Sequence, residues 1–363
     1  MQRTEYPLLS PSLGSQKTLV AFHFGTPGAR PKVYIQASLH AEELPGMLVA
    51  HHLRQRLEAA DNAGMLRGEV ILVPAANPIG LSQRLDHRAM GRFEFDTAQN
   101  FNRHYPDMAA AVLDDARSRL GPDAQTNVAT VRQLVGAWLI QWHPTSELDS
   151  LRRQLLLLSH DADLVLDLHC DNDAVLHLYS EEACWPPLEP LARLLGCQAV
   201  LLARESGGGP FDERLSGLWW QLAAALRGAG VNAPLPQGCA SATVELRGEG
   251  DVSHDLARKD AHAIASFLEC VGALAAAAPA PLPPMACKPT PLAGSQTLRS
   301  PVPGVLVFLV KPGTRVNVGD VVAEVIDPTA DDHARVFEVR AEVAGVLYAT
   351  GRERYIVSGG EVG

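Results

Sequence analysis

Lys32-Val33-Tyr34-Ile35-Gln36-Ala37-Ser38-Leu39 runs straight into His40-Ala41-Glu42-Glu43. The first stretch is β-branched and aromatic-rich, which reads as a strand. The second is polar and acidic. Leu44 to Ala60 follows with helical spacing, and Met47, Leu48, Leu53 and Leu57 are its expected buried face. Gly64 and Gly68 break that helix. Glu69 to Pro74 (EVILVP) reads as another strand, closed by the turn Asn77-Pro78-Ile79-Gly80. Strand-like runs recur at Ala162–Leu168, Ala174–Tyr179, Ala199–Ala203 and Ala242–Leu246, separated by helical segments. Such alternation predicts an α/β fold with a mixed, mostly parallel sheet covered on both faces.

Two segments read as insertions into that pattern. Residues 107–160 are mostly helix-forming, with apolar residues at Leu134, Val135, Trp138 and Leu139. Residues 204–226 begin with the flexible Ser206-Gly207-Gly208-Gly209-Pro210 and continue as an apolar helix with Trp219 and Trp220. Insertions of this kind either wall a pocket or extend the core.

Residues 1–271 form the expected main domain. An Ala/Pro-rich linker, 272–299, separates it from a small β-domain at 300–363. In the tail, Ser300-Pro301-Val302-Pro303-Gly304-Val305-Leu306 and Val343-Ala344-Gly345-Val346-Leu347 look like two copies of one element. The tail resembles the lipoyl/biotinyl hammerhead family. A carrier of that family presents a Lys at a hairpin tip. The matching stretch here, Ile326 to Asp332, has none. The expected role of the tail is therefore structural or oligomer-forming, which allows a homo-oligomer.

The bulk numbers narrow the class. Of 363 residues, 47% are apolar and 20% charged, as in an ordinary globular protein. A net charge of −10 argues against nucleic acid, whose phosphates need a basic face. No apolar leader and no long uncharged apolar run is visible, so no membrane span is expected. The six cysteines are scattered and form no C-x-x-C pair. They read as reduced thiols, and the cytoplasm is the expected location.

Chemistry concentrates at three places. His40 and Glu43 sit where a strand hands over to a helix, the usual ligand position of an α/β sheet. Alone, that spacing also fits a solvated helix start, and Glu42 competes with Glu43. His169 closes the second apolar run, Leu164 to Leu168, which Asp167 interrupts. Strand alternation puts Asp167 and His169 on one side, so Asp167 could orient the imidazole. Two imidazoles and one carboxylate leave tetrahedral Zn²⁺ an open position for water. Glu245 interrupts a third apolar run. A carboxylate there is either the general base of a hydrolase or the partner of Arg247.

His40-x-x-Glu43, Asn100-Phe101-Asn102-Arg103, Asp167-Leu168-His169 and Glu245-Leu246-Arg247 resemble, in this order, the zinc carboxypeptidase superfamily. Within it the chain is similar to the succinylglutamate desuccinylase/aspartoacylase family, over about residues 30 to 270. The resemblance implies a zinc-carboxypeptidase-like domain holding one Zn²⁺ per chain through His40, Glu43 and His169. It implies Glu245 as general base, and Asn102 with Arg103 as the clamp for a substrate carboxylate. An upstream Arg would stabilise the oxyanion. Arg92 is the match, with Arg84 and Arg88 as competitors.

The expected function is zinc-dependent hydrolysis of an amide bond beside a carboxylate, in a small carboxylate-bearing substrate. An N-acyl-amino-acid deacylase is the first expectation and a carboxypeptidase acting on peptides the second. A binding or scaffold protein that lost catalysis is the rival of another class.

Overall fold

A strand buried along its whole length must lie inside a sheet covered on both faces, and Lys32–Ala37 is buried at every position. The structure, a computed structural model, describes residues 1–276, 281–331 and 335–363. Nine strands form the main sheet. They are β1 (Gln2–Pro7), β2 (Thr18–Phe24), β3 (Lys32–Ala37), β4 (Glu69–Val73), β5 (Leu164–Asp171), β6 (Leu176–Ser180), β7 (Ala199–Leu202), β8 (Ala240–Gly248) and β9 (Thr290–Pro291). Their order across the sheet is β1-β2-β4-β3-β5-β8-β6-β7-β9. The centre, β4-β3-β5-β8, is parallel, and so is β6-β7-β9. β6 runs antiparallel to β8, and β1 and β2 extend the other edge in antiparallel fashion. The mixed, mostly parallel α/β sheet is therefore as expected. β1 gives no apolar signal because it is an exposed edge strand.

Alternation along β5 sorts its residues between two cores. Leu164, Leu166 and Leu168 pack with helices α1 (Pro45–Asn62), α5 (Trp185–Leu195) and α7 (His254–Cys270). Val165 faces the opposite layer, built from α2 (Met108–Arg119), α3 (Ala124–Gln141), α4 (Glu147–Ser159) and α6 (Phe211–Gly228). The 107–160 insertion is thus core-extending. On α1 the buried face differs from the expected one. Val49 and Ala50 join Leu53 and Leu57 inside, while Met47 and Leu48 are only part-buried. The small residues go in because the helix lies close on the sheet: a Cβ added at Gly46 would sit 3.0 Å from the Leu168 carbonyl oxygen.

Beyond the main sheet, β10 (Gly304–Phe308), β11 (Val321–Ile326), β12 (Val336–Arg340) and β13 (Tyr355–Ile356) form an antiparallel sheet in the order β12-β11-β10-β13. Leu306, Val322, Val325 and Val339 are part of its separate core. The expected 272–299 linker is not wholly free, since β9 pairs with β7 at the sheet edge. Residues 277–280 of that linker, and Asp332 of the hairpin segment, lie outside the described residues. Ala349–Thr350 pairs with Asp173–Ala174, tying the tail to the loop just after β5.

Candidate metal centre and active site

β3 ends at Ala37, and the chain turns at once. Ser38 adopts a left-handed backbone, φ 58°. Its hydroxyl donates to the Glu43 carbonyl at 2.7 Å, closing the loop that carries His40 and Glu43. Asn77 Nδ2 donates to the Leu39 carbonyl at 2.8 Å and pins the loop from the β4 side. Both His40 and Glu43 are thereby buried at the carboxyl end of β3. β5 delivers His169 beside them, and β8 delivers Glu245 in register with His169. All three strands end at this point, where open parallel sheets bind ligands.

The ligand candidates converge. One ligand atom from each of His40, Glu43 and His169 lies within 4.8 Å of the others. His40 Nδ1 is 2.9 Å from Glu43 Oε1, and His169 Nδ1 is 2.7 Å from Glu43 Oε2. The far side of each ring is held. His40 Nε2 donates to Asn100 Oδ1 at 2.9 Å. His169 Nε2 lies 3.1 Å from Asp167 Oδ2, while Gln36 Nε2 donates to the other Asp167 oxygen at 3.0 Å. Each Nδ1 thus faces the Glu43 carboxylate, and a ring that is neutral with its proton on Nε2 presents a lone pair there. Several acceptors then face one another in a buried space, a donor set that fits a divalent cation and suits zinc.

Electrostatics follow from this crowding. Burial pulls the His40 imidazole below its ordinary range. Burial works the same way on His169, but the Asp167 and Glu43 carboxylates outweigh it and raise it. Burial pushes Glu43 up, and the two flanking imidazoles more than reverse that. Glu245 is pushed up to about 8, first by burial; His169 opposes the rise and Glu43 adds to it. Its Oε2 is buried with no hydrogen-bond partner among the described residues.

Arg247 does not pair with Glu245. A bulge after Glu245 puts Arg247 at φ 70°, and its guanidinium goes to Asp260 on α7 instead. Unbroken alternation would have kept both side chains on one face.

Glu42 turns elsewhere. Its Oε2 accepts from the Gly91 backbone N–H at 2.8 Å, away from the ligand cluster. That bond sets the loop carrying Arg92, whose Nη1 reaches Glu43 Oε1 at 3.0 Å. The approach requires glycine at 91: an added Cβ would lie 2.7 Å from Glu42 N and from Ala41 Cβ. Arg92 is therefore brought to the centre. Arg84 and Arg88 sit on an exposed two-stranded ribbon, and neither makes an ion pair among the described residues.

Asn102 is buried. Its Oδ1 accepts from Phe211 N at 2.8 Å, capping the start of α6, and its Nδ2 lies 3.5 Å from His169 Nε2. Arg103 stands at the rim, half-buried, with Nη1 donating to the Asn102 carbonyl at 2.7 Å. Arg152 from α4 supports it by donating to the Arg103 carbonyl at 2.9 Å.

A cleft of about 250 Å³ opens over these groups. His40, Glu43, Arg92, Asn102, Arg103, His169 and Glu245 all line it. So do Glu181 after β6 and Asp212 on α6, neither of which the motifs single out. Asp212 sits with Glu213 in the first turn of a helix, where acids are ordinary. The sequence marks Asn100 only as part of a motif; its contact with His40 needs the folded loop. Of the insertions, the 204–226 segment walls the cleft through Ser206, Pro210, Asp212, Glu213 and Ser216.

Residues 29–135 match the family model of the succinylglutamate desuccinylase/aspartoacylase catalytic domain. No curated protein matches the chain. Among solved structures, one assigned to the succinylglutamate desuccinylase/aspartoacylase family, from Shewanella amazonensis SB2B, is 26% identical, covering 100% of this chain and 97% of that one, with a TM-score of 0.84. A second, from Shewanella frigidimarina NCIMB 400, is 21% identical over 99% and 95% of the two chains, with a TM-score of 0.84. The product-bound ectoine utilization protein EutE (DoeB) from Ruegeria pomeroyi shares the fold at 18% identity and TM-score 0.68, over 99% and 94%. The chain thus matches the catalytic-domain model of the succinylglutamate desuccinylase/aspartoacylase family over residues 29–135 and is similar along its whole length to a solved structure assigned to that family.

Proposed function

We propose that this protein is a zinc-dependent hydrolase that cleaves the amide bond of a small N-acyl amino acid. The observation that carries the reading is the meeting of His40, Glu43 and His169 in one buried cluster, with Glu245 in register beside His169. His40, Glu43 and His169 are the proposed zinc ligands. Zinc held there supplies Lewis acidity to the scissile carbonyl and to water.

The chain's own groups do the rest. Arg103 at the rim and the buried Asn102 amide beside it clamp the substrate carboxylate. Arg92 stands where it can share the negative charge that develops on the carbonyl oxygen. Glu245 takes a proton from the attacking water and passes it to the departing nitrogen. A C–O bond forms, the C–N bond breaks, and the products are a carboxylate and an amine. The raised Glu245 carboxyl suits a group that must both accept and return a proton near neutrality.

A cleft of about 250 Å³ supports a small substrate. The proposed setting is the reducing cytoplasm, in keeping with six cysteines that are all free. Among the described residues, no helix is long and apolar enough to cross a membrane. The tail β-sheet, hammerhead-like in sequence, is proposed as structural or oligomer-forming.

One panel tests the reading: N-acyl amino acids and C-terminally varied dipeptides, assayed as purified, after chelation, and after zinc is restored. The expected result is chelator-sensitive turnover of N-acyl amino acids. Turnover confined to dipeptides would make it a carboxypeptidase. No turnover and no near-stoichiometric zinc would make it a scaffold.

A further inference from the structure

The deep end of the cleft is lined by hydroxyls and acids. Ser241 and Thr243 on β8 lie four and two residues before Glu245, roughly 13 and 7 Å at the rise of a strand. Across from them, Ser241 Oγ donates to the Asp212 carbonyl at 2.9 Å and lies 2.8 Å from Ser216 Oγ. Ser216 Oγ in turn donates to Glu181 Oε1 at 2.9 Å. Glu181 is 3% exposed and Asp212 5% exposed. Both line the cleft, and neither carboxylate has a cationic partner among the described residues. The acids at the proposed zinc site differ: Glu43 meets Arg92 and two histidines, and Asp167 meets His169.

Two buried acids without a counter-charge are costly to ionise. Burial raises each carboxyl to about 7, and the neighbouring acids add to the rise. A fold that only needed polar filling could use amides there. Acids facing an open cavity are suited to a ligand that brings its own positive charge. The cations of the cleft lie elsewhere, Arg103 at the rim and Arg92 on Glu43, and neither pairs with Asp212 or Glu181.

We propose that Asp212 and Glu181 form a specificity pocket for a cationic side chain, so the amide cleaved belongs to an amino acid carrying a second amine or a guanidinium. The proposal rests on the hydrolytic reading above and narrows its substrate class. The substrate carboxylate meets Arg103 at the rim, and the charged side chain extends along β8 toward the acids. An extended side chain of three or four atoms covers about the distance from Glu245 to Thr243. A glutamate or aspartate side chain would place like charge against the acids and be rejected.

The test uses product amino acids, so that it does not depend on turnover. Binding of L-ornithine, its neutral isostere L-norleucine, and L-glutamate to the full-length, zinc-loaded protein is measured by calorimetry. Ornithine is expected to bind at least about tenfold more tightly than the other two, the size of a charge-assisted hydrogen bond. Asp212→Asn and Glu181→Gln, each checked for folding by circular dichroism, are expected to collapse the ornithine-to-norleucine ratio. Equal or tighter binding of norleucine or glutamate, undetectable ornithine binding, or a preference that survives both substitutions would overturn the proposal. Ornithine-selective binding without hydrolysis of any N-acyl amino acid would instead overturn the hydrolytic reading alone.

Discussion

Glu245 and His169 occupy the same register position on neighbouring parallel strands. Residues so paired stand about 4.8 Å apart and project from the same face of the sheet. The proposed base and one proposed zinc ligand are therefore placed by backbone pairing, before any side-chain contact forms. A site built on strands in this way is more rigid than one built on loops.

This pairing makes Glu245→Gln a clean substitution. The amide keeps the shape and cannot take the proton. Turnover should fall by about 10²–10⁴, the range of general-base catalysis. Zinc content, measured by elemental analysis, should not change, since Glu245 is not among the clustered ligand atoms. Turnover close to wild type would remove Glu245 from the mechanism.

Asn100 and Asp167 face the outer nitrogens of the two histidines. Asn100→Ala and Asp167→Asn should each weaken zinc binding by about 10–100-fold without removing a ligand. A competition titration against a chromophoric chelator measures this. Zinc affinity unaltered in both variants would mean that the ring orientations are set by packing alone.

Arg92 and Arg103 should separate in steady-state kinetics. Arg92→Ala should lower kcat by about 10²–10³, as removal of an oxyanion donor does. Arg103→Ala should chiefly raise KM, because it removes binding felt equally by substrate and transition state. Glu42→Ala should weakly mimic the Arg92 variant, since Glu42 holds the Gly91 backbone N–H. A KM effect from Arg92 and a kcat effect from Arg103 would exchange their roles.

Asp212 should cost stability at neutral pH. Its carboxyl is raised to about 7 by burial, against an unfolded value near 4. Between those values the folded state holds the extra proton, so this group's contribution to stability falls as pH rises from about 4 to about 7. Asp212→Asn removes that loss. The variant should melt above wild type at pH 8, and the gap should shrink or vanish near pH 5. Thermal melts at both values decide it; a gap independent of pH would mean the residue is not titrating as described.

Local sequence carried a good deal. The β-branched run at Lys32–Ala37 and its kin mark buried strands because only a covered sheet can hide so much apolar backbone. The polar residues that break those runs, His169 and Glu245, mark the site because burying them idly is costly. Alternation along β5 puts Asp167 and His169 on one side, and in the structure Asp167 Oδ2 lies 3.1 Å from His169 Nε2.

Only the tertiary structure decided what long-range pairing and backbone irregularity control. Glu42 and Glu43 are neighbours with the same side chain, and the turn at Ser38 and the Gly91 loop send one outward and one to the histidines. The bulge after Glu245 turns Arg247 toward Asp260, which no periodic pattern encodes. Glu181 and Asp212 come from segments about thirty residues apart and look like ordinary polar positions until β6 and α6 close one cleft between them. Sequence alone determines which residues are too polar for where they sit; the fold decides which of them face one another.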